Sequence, residues 1–295
     1  MNTGLQDTIV GKGDEMATNP DLNGKVALVT GASRGIGADI ARVLAREGMT
    51  VIGAARTENE GDFRVPGALA TTISSITEAG GKAVARRVDL SRDEEIHELW
   101  EWAVGEFGQI HAVVNNAGIL APGTIENMNW RHFGLVFQIN VAAPALLSRL
   151  AAPHMRANGG GAIINITSGA SRGPGPGPYE HASRGGTPYG YSKAALERLT
   201  QGMAAELCED NISVNCTMPA HQVWVGGTIY AQQQSNPDFD NIDLTGKRKD
   251  GTIMGDACAA ILRADYAIYT GRVTNDEDTL RELTGATSFE KYPVY

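Results

Sequence analysis

Tyr189 and Lys193 stand four residues apart in the short run YGYSK, and the pair raises a chemical question. A phenol titrates near pH ~10 and is a poor base at neutrality. A neighbouring ammonium or a cationic ring favours the phenolate and lowers that value. On a helix, such a neighbour must sit three or four positions away. Tyr191 is two residues from Lys193 and faces another way. The spacing therefore selects Tyr189 and Lys193 as an acid–base pair and leaves Tyr191 as packing or as a wall beside a substrate. A hydroxyl that polarises the reacting oxygen would complement the pair. Ser168 ends the apolar run GAIINITS and is placed for that role, with Thr167 and Ser171 as rival hydroxyls.

These side chains need elements to position them. VALVT at 26–30 is a short apolar run that stops at a glycine-rich turn, the pattern of a buried strand. Ile36, Ile40, Val43 and Leu44 then follow helical spacing up to Gly48. Further strands are predicted over 50–55, 83–90, 110–118, 161–168 and 212–218. Between them, Leu69, Ile73 and Ile76 share one helical face before Gly80 and Gly81. A longer stripe runs through Ile96, Leu99, Trp100, Ala103, Val104 and Phe107, and Ser91 with Glu94 has the spacing of a capping box. Strands alternating with helices imply an α/β fold: a single doubly wound Rossmann-type domain whose parallel sheet is flanked by helices on both faces. The domain is expected over 24–295, after a flexible leader at 1–23 that is poor in periodic apolar positions. Such sheets bind ligands beyond the carboxyl ends of their strands, where the polar clusters of this sequence fall.

The turn TGASRGIG carries Gly31, Gly35 and Gly37 as G-x-x-x-G-x-G. Small residues let a backbone approach a pyrophosphate, and the helix that follows offers unpaired N–H groups and the positive end of its dipole. An acid at the end of the second strand would hold the adenosine ribose and repel a 2′-phosphate. That position is Ala55, followed by Arg56, and Arg34 in the turn is a second cation. Guanidinium groups suit phosphate oxygens, so NADP(H) is favoured with NAD(H) possible. Glu58 and Glu60 are the counter-argument, since either could reach the ribose instead.

Composition narrows the classes further. The 295 residues carry a formal charge of −9 and only 6% aromatic residues, which disfavours nucleic acid as a partner. The three cysteines form no C-x-x-C pair and suit a reducing cytoplasm. The N-terminal residues lack the apolar core of a signal peptide. No uninterrupted apolar run approaches the roughly 20 residues that cross a bilayer, so no membrane association is expected. The six histidines show no tight cluster, and no metal is expected.

In five ordered motifs the sequence resembles the short-chain dehydrogenase/reductase family over about 25–272: TGASRGIG, VDLS at 88–91, NNAG at 115–118, Ser168 after a strand, and YGYSK at 189–193. The resemblance implies cofactor contacts from Gly31, Ser33, Arg34, Gly35, Ile36, Gly37, Arg56, Asp89, Leu90, Asn116, Ala117 and Gly118, as well as from Tyr189 and Lys193. Asp89 is expected to accept a hydrogen bond from the adenine amine. It also implies a catalytic set of Asn140, Ser168, Tyr189 and Lys193. Ser168 would polarise a substrate carbonyl, Tyr189 would protonate it, and Asn140 would hold a water between Lys193 and solvent. The expected activity is interconversion of a secondary alcohol and a ketone by hydride transfer. The expected assembly is a homodimer or homotetramer. A dinucleotide-binding redox sensor and an enoyl-type reductase are the alternatives.

Two segments depart from the family pattern. The stretch 169–188 is longer than usual and rich in glycine and proline, and it either shapes the substrate rim or is a surface loop. After 212–218, the usual P-G is Pro219–Ala220, and Trp224 stands where a nicotinamide-contacting threonine is common, with Thr228 displaced. The segment 220–250 reads as a substrate loop. His221, Trp224 and Tyr230 are its candidate contacts.

Overall fold

The computed structural model describes residues 21–120, 123–180, 186–221, 223 and 250–292. Most of the expected leader, and Trp224, Thr228 and Tyr230, lie outside the described residues.

Seven parallel strands form one sheet in the order β3-β2-β1-β4-β5-β6-β7. They are β1 (Val26–Thr30), β2 (Thr50–Ala55), β3 (Lys82–Arg87), β4 (Ala112–Asn115), β5 (Gly161–Ile166), β6 (Ile212–Met218) and β7 (Val273–Asn275). The central strands are buried at every position because both of their faces are covered. The edge strand β3, KAVARR, is exposed or half-exposed throughout. It ends at Arg87, three residues short of the expected limit, although Val88 still donates its N–H to the Ala55 carbonyl. The expected strand 110–118 is likewise reduced to the four residues of β4.

The helices are α1 (Gly35–Arg46), α2 (Leu69–Glu78), α3 (Asp93–Phe107), α4 (Trp130–Phe137), α5 (Ala143–Ala157), α6 (Thr187–Leu207), α7 (Thr252–Arg263) and α8 (Asp276–Thr284). A π turn over Gln138–Ala142 joins α4 to α5. Leu28, Val113 and Ile163 pack with α3, α5 and α6 residues on one face, while Val29, Val114 and Ile164 meet α1 and α7 on the other. Helices α1 and α7 touch closely at Gly255, where a Cβ would lie 2.6 Å from Val43. The continuous helix Trp130–Ala157 is long and apolar enough to span a bilayer by length and composition. Its buried residues Ala143, Leu147, Ala151 and Met155 are part of the core under the sheet.

The capping box is not formed. Helix α3 begins at Asp93, and the Ser91 hydroxyl donates to Asp89 Oδ1 at 2.7 Å rather than bonding a helix N–H. Glu95, not Glu94, folds back to accept the Asp89 N–H at 2.7 Å. The turn after β3 thus organises itself around Asp89.

Strand order reverses between β1 and β4, so the crossovers leave to opposite sides and open a crevice at the carboxyl ends of these strands. The glycine turn leaves one wall of this crevice and the NNAG segment leaves the other.

Candidate active site

The glycine turn and NNAG are built against each other. The Asn116 side chain donates to the Thr30 carbonyl at 2.9 Å, and the Thr30 hydroxyl accepts the N–H groups of Asn116 and Ala117, each at 3.1 Å. A Cβ on Gly37 would collide with the Gly31 carbonyl and the Asn116 amide. Gly31, at φ +69°, would meet Ala117 as well. Two of the motif glycines are therefore needed by this protein–protein contact itself, in addition to any ligand.

Three guanidinium groups surround the half-exposed Phe63 ring in the loop after β2. The Arg34, Arg56 and Arg64 carbons lie 5.5, 5.4 and 5.9 Å from its centroid. Arg34 donates from Nη2 to the Gly67 carbonyl at 2.6 Å, while its buried Nε has no partner among the described residues. Glu60 is engaged within its own loop, accepting from the Gly67 N–H at 3.0 Å and the Thr71 hydroxyl at 2.6 Å. Burial alone would raise the Asp89 carboxyl, but bonds from the Ser91 N–H and hydroxyl and the charges of Arg56 and Arg92 hold it below its ordinary value. Both Ser91 bonds fall on Oδ1, which leaves Oδ2 as the oxygen for the expected adenine contact.

At the other wall, Gly186 takes a left-handed conformation at φ +77° and Pro188 sits in the first turn of α6, fixing where that helix begins. Tyr189 and Lys193 then fall on one face. Lys193 is 3% exposed, donates to the Ile166 carbonyl at 2.8 Å and lies 5.7 Å from the Tyr189 ring centroid. Burial lowers the Lys193 ammonium to about 8, with the neighbouring Cys216 and Glu197 acting in the opposite direction. Burial likewise raises the Tyr189 phenol, with a hydrogen bond to the Ser168 hydroxyl acting in the opposite direction. Among the residues present, desolvation of the ring is the larger influence on this phenol.

The three rival hydroxyls have different surroundings. Thr167 donates to the Glu197 carboxylate at 2.8 Å, whereas Ser168 faces Tyr189 and accepts the Ala170 N–H at 3.3 Å. Ser171 lies one turn further on, its buried hydroxyl unpartnered among the described residues. Tyr191 is 52% exposed and takes no part in the buried set.

Asn140 is fully buried in the π turn, an irregularity that re-aims a side chain within a long helix. Its Oδ1 accepts the Ile119 N–H at 2.9 Å, and its Nδ2 donates to the Ile119 carbonyl at 3.0 Å and to the Ser192 hydroxyl at 2.9 Å. Ser192 in turn donates to the Tyr189 carbonyl at 2.7 Å. The amide thus clamps the NNAG exit to the first turn of α6. Gly118 joins the two halves, since a Cβ there would sit 3.4 Å from Asn140 Oδ1 and 3.5 Å from Lys193 Nζ.

The reading of the sequence passed over Phe63, which has no signal beyond an aromatic in a loop. It also passed over Glu197, which the same i, i+4 spacing from Lys193 could have found. His221 is exposed and lies 3.4 Å from the Glu277 carboxylate on α8. No group of three or more His, Cys, Asp or Glu side chains is placed to hold a metal among the described residues.

Residues 25–223 match the family model described as short chain dehydrogenase. An uncharacterised oxidoreductase of Methylorubrum extorquens is 35% identical, covering 70% of this chain and 76% of its own. The 7alpha-hydroxysteroid dehydrogenase of Escherichia coli K12 is 34% identical, with coverages of 68% and 72%. A solved structure from Beutenbergia cavernae, provisionally an NAD(P)-dependent gluconate 5-dehydrogenase with NADP bound at low occupancy, superposes with a TM-score of 0.70. It is 27% identical, over 87% of this chain and 96% of that one. With the strand order, the glycine turn and the Tyr–Lys helix accounted for, the chain belongs to the short-chain dehydrogenase family and is an oxidoreductase of that class.

Proposed function

We propose that the protein is an NADP(H)-preferring enzyme that interconverts a secondary alcohol and a ketone, with Tyr189 as general acid and base. The observation that carries this reading is the convergence of a phenol, its hydroxyl partner and a buried ammonium, Tyr189, Ser168 and Lys193, at the ends of β5 and α6. In reduction, Tyr189 gives its proton to the oxygen of the substrate carbonyl while the Ser168 hydroxyl hydrogen-bonds the same oxygen. Lys193 offsets the negative charge left on the phenolate, and Asn140 holds the segment that carries Gly118 against α6. In oxidation Tyr189 takes the proton back.

The bound dinucleotide would supply or accept the hydride, and the residues present fit such a group. The turn from β1 into α1 offers N–H groups for a pyrophosphate. Beside it, Arg34 keeps a buried Nε without a partner among the described residues, and Arg56 and Arg64 flank the same ring. These cations support a 2′-phosphate and hence NADP(H) over NAD(H). With Glu60 engaged by Gly67 and Thr71, it is a weak competitor for the ribose. The same reading takes the enzyme as a cytoplasmic homodimer or homotetramer. The exposed Trp130 on α4, stacked on Phe133 at 4.7 Å, supports an apolar contact between copies, and light scattering would measure the assembly.

Parallel fluorescence titrations with NADPH and NADH, followed by a panel of ketones and secondary alcohols, test the proposal. NADPH-biased binding with ketone-dependent NADPH oxidation is expected. Equal affinity would remove the cofactor preference. Binding without turnover on any carbonyl would return the reading to a redox sensor, and turnover only on carbon–carbon double bonds would favour an enoyl reductase.

A further inference from the structure

The geometry points to Glu197 as a positioning residue for Lys193: its carboxylate, held in place by the Thr167 hydroxyl one residue beyond the carbonyl that anchors Nζ, is the counter-charge for the buried ammonium. This inference rests on the reading of Tyr189 and Lys193 given above and extends it by one helical turn. Tyr189, Lys193 and Glu197 are spaced at four-residue intervals along α6, so the three project from one stripe of the helix.

The surroundings of the ammonium are specific. Nζ is anchored on the Ile166 carbonyl at the end of β5, and the next residue, Thr167, is 3% exposed and donates to Glu197 Oε1 at 2.8 Å. One strand end therefore fixes both the cation and the anion. Gly118 approaches Nζ from the β4 side, and its lack of a side chain leaves that space open. From β6, the Cys216 thiol is buried and pushed up to about 12, so it is neutral. From α6, the Tyr189 phenol is raised by burial and is neutral too. Among the described residues, Cys216 and Glu197 are the titratable groups that act on the Lys193 charge, and Glu197 is the carboxylate of the two. An ammonium this deeply buried loses its proton early unless an anion opposes its desolvation. A neutral Lys193 would leave the Tyr189 phenolate without its cation.

The direct test follows the Lys193 titration by NMR in protein labelled at the lysine ε carbons, with Lys193→Arg to assign the signal. Glu197→Gln keeps the shape of the side chain and removes its charge. The Lys193 midpoint should fall by on the order of one pH unit in Glu197→Gln. It should return close to the wild-type value in Glu197→Asp, with thermal melting and NADPH binding near wild type at pH 7. Thr167→Val, which frees the carboxylate without neutralising it, should move the midpoint in the same direction by less. It serves as the readout if Glu197→Gln does not fold. In turnover, the alkaline limb of ketone reduction should shift downward with the midpoint. An unchanged Lys193 midpoint in the folded variant, or a uniform loss of activity with the alkaline limb unmoved, would overturn the inference. A shifted midpoint in a protein whose Tyr189→Phe variant retains full turnover would preserve the coupling and sink the hydride-transfer reading instead.

Discussion

The two walls of the crevice solve different problems with different materials. On the β1–β2 side the site is backbone: a turn of small residues, the N–H groups that start α1, and cations added on loops. On the β4–β6 side it is made of polar side chains inserted into the sheet layer. Asn115 donates to Asn165 at 2.8 Å, Asn165 to the Thr200 hydroxyl at 2.8 Å, and Lys193 is buried beside them. A backbone site tolerates most side-chain changes but no added Cβ. A buried polar site tolerates few changes of charge, because each group is satisfied by a particular partner and an orphaned one costs about 1–3 kcal/mol.

The contrast can be broken or sharpened in several ways. The largest effect is expected on the polar side: Lys193→Met should lower kcat for ketone reduction by about 10³-fold, measured at saturating NADPH. If the loss lay only in NADPH affinity, Lys193 would serve binding alone. On the backbone side, Gly37→Ala forces a Cβ into Gly31 and Asn116. It should weaken NADPH and NADH binding equally, by at least about tenfold, and destabilise the fold by about 1–3 kcal/mol, read by titration and melting. A wild-type melting curve would mean that the turn relaxes freely. Arg56→Ala should reduce NADPH affinity by about 10–30-fold with little change for NADH, within the range of a charge-assisted hydrogen bond. Equal losses for both dinucleotides would place the 2′-phosphate elsewhere.

The smallest effect lies behind the backbone wall, at Asp39 on α1. Burial, against the charge of Arg42 and aided by Asp250, raises its carboxyl to about 6. A carboxyl raised on folding stabilises fully below its unfolded pKa near 3.8, and that contribution is lost as pH rises through about 6. Asp39→Asn should therefore melt higher than wild type at pH 7.5, by on the order of 1–2 kcal/mol, with the gain shrinking toward pH 4. A gain that is independent of pH would exclude this cause.

These two walls were unequally legible from the sequence. Glycine spacing after an apolar run identifies a backbone site because the requirement is local, and the strands at 26–30 and 50–55 follow from short, largely apolar runs of the right length. The Tyr189–Lys193 pair is local too, since helical geometry fixes its reach. What escaped is long-range. That Thr167 points at Glu197 and Ser168 at Tyr189 depends on how β5 meets α6, and neighbouring hydroxyls look alike in one dimension. The capping box failed for a related reason: the Ser91 hydroxyl turns to donate to Asp89 instead of accepting a helix N–H. Phe63 gathers three guanidiniums only because its loop folds back over the glycine turn.

The central claim is that Tyr189 moves the proton. Stopped-flow single turnovers with pre-bound NADPH and the best ketone of the panel, comparing wild type with Tyr189→Phe, address it directly. Loss of the chemical step by about 10²-fold or more in Tyr189→Phe, with NADPH affinity retained, is the predicted result. A Tyr189→Phe enzyme that oxidises NADPH at the wild-type rate would contradict the account.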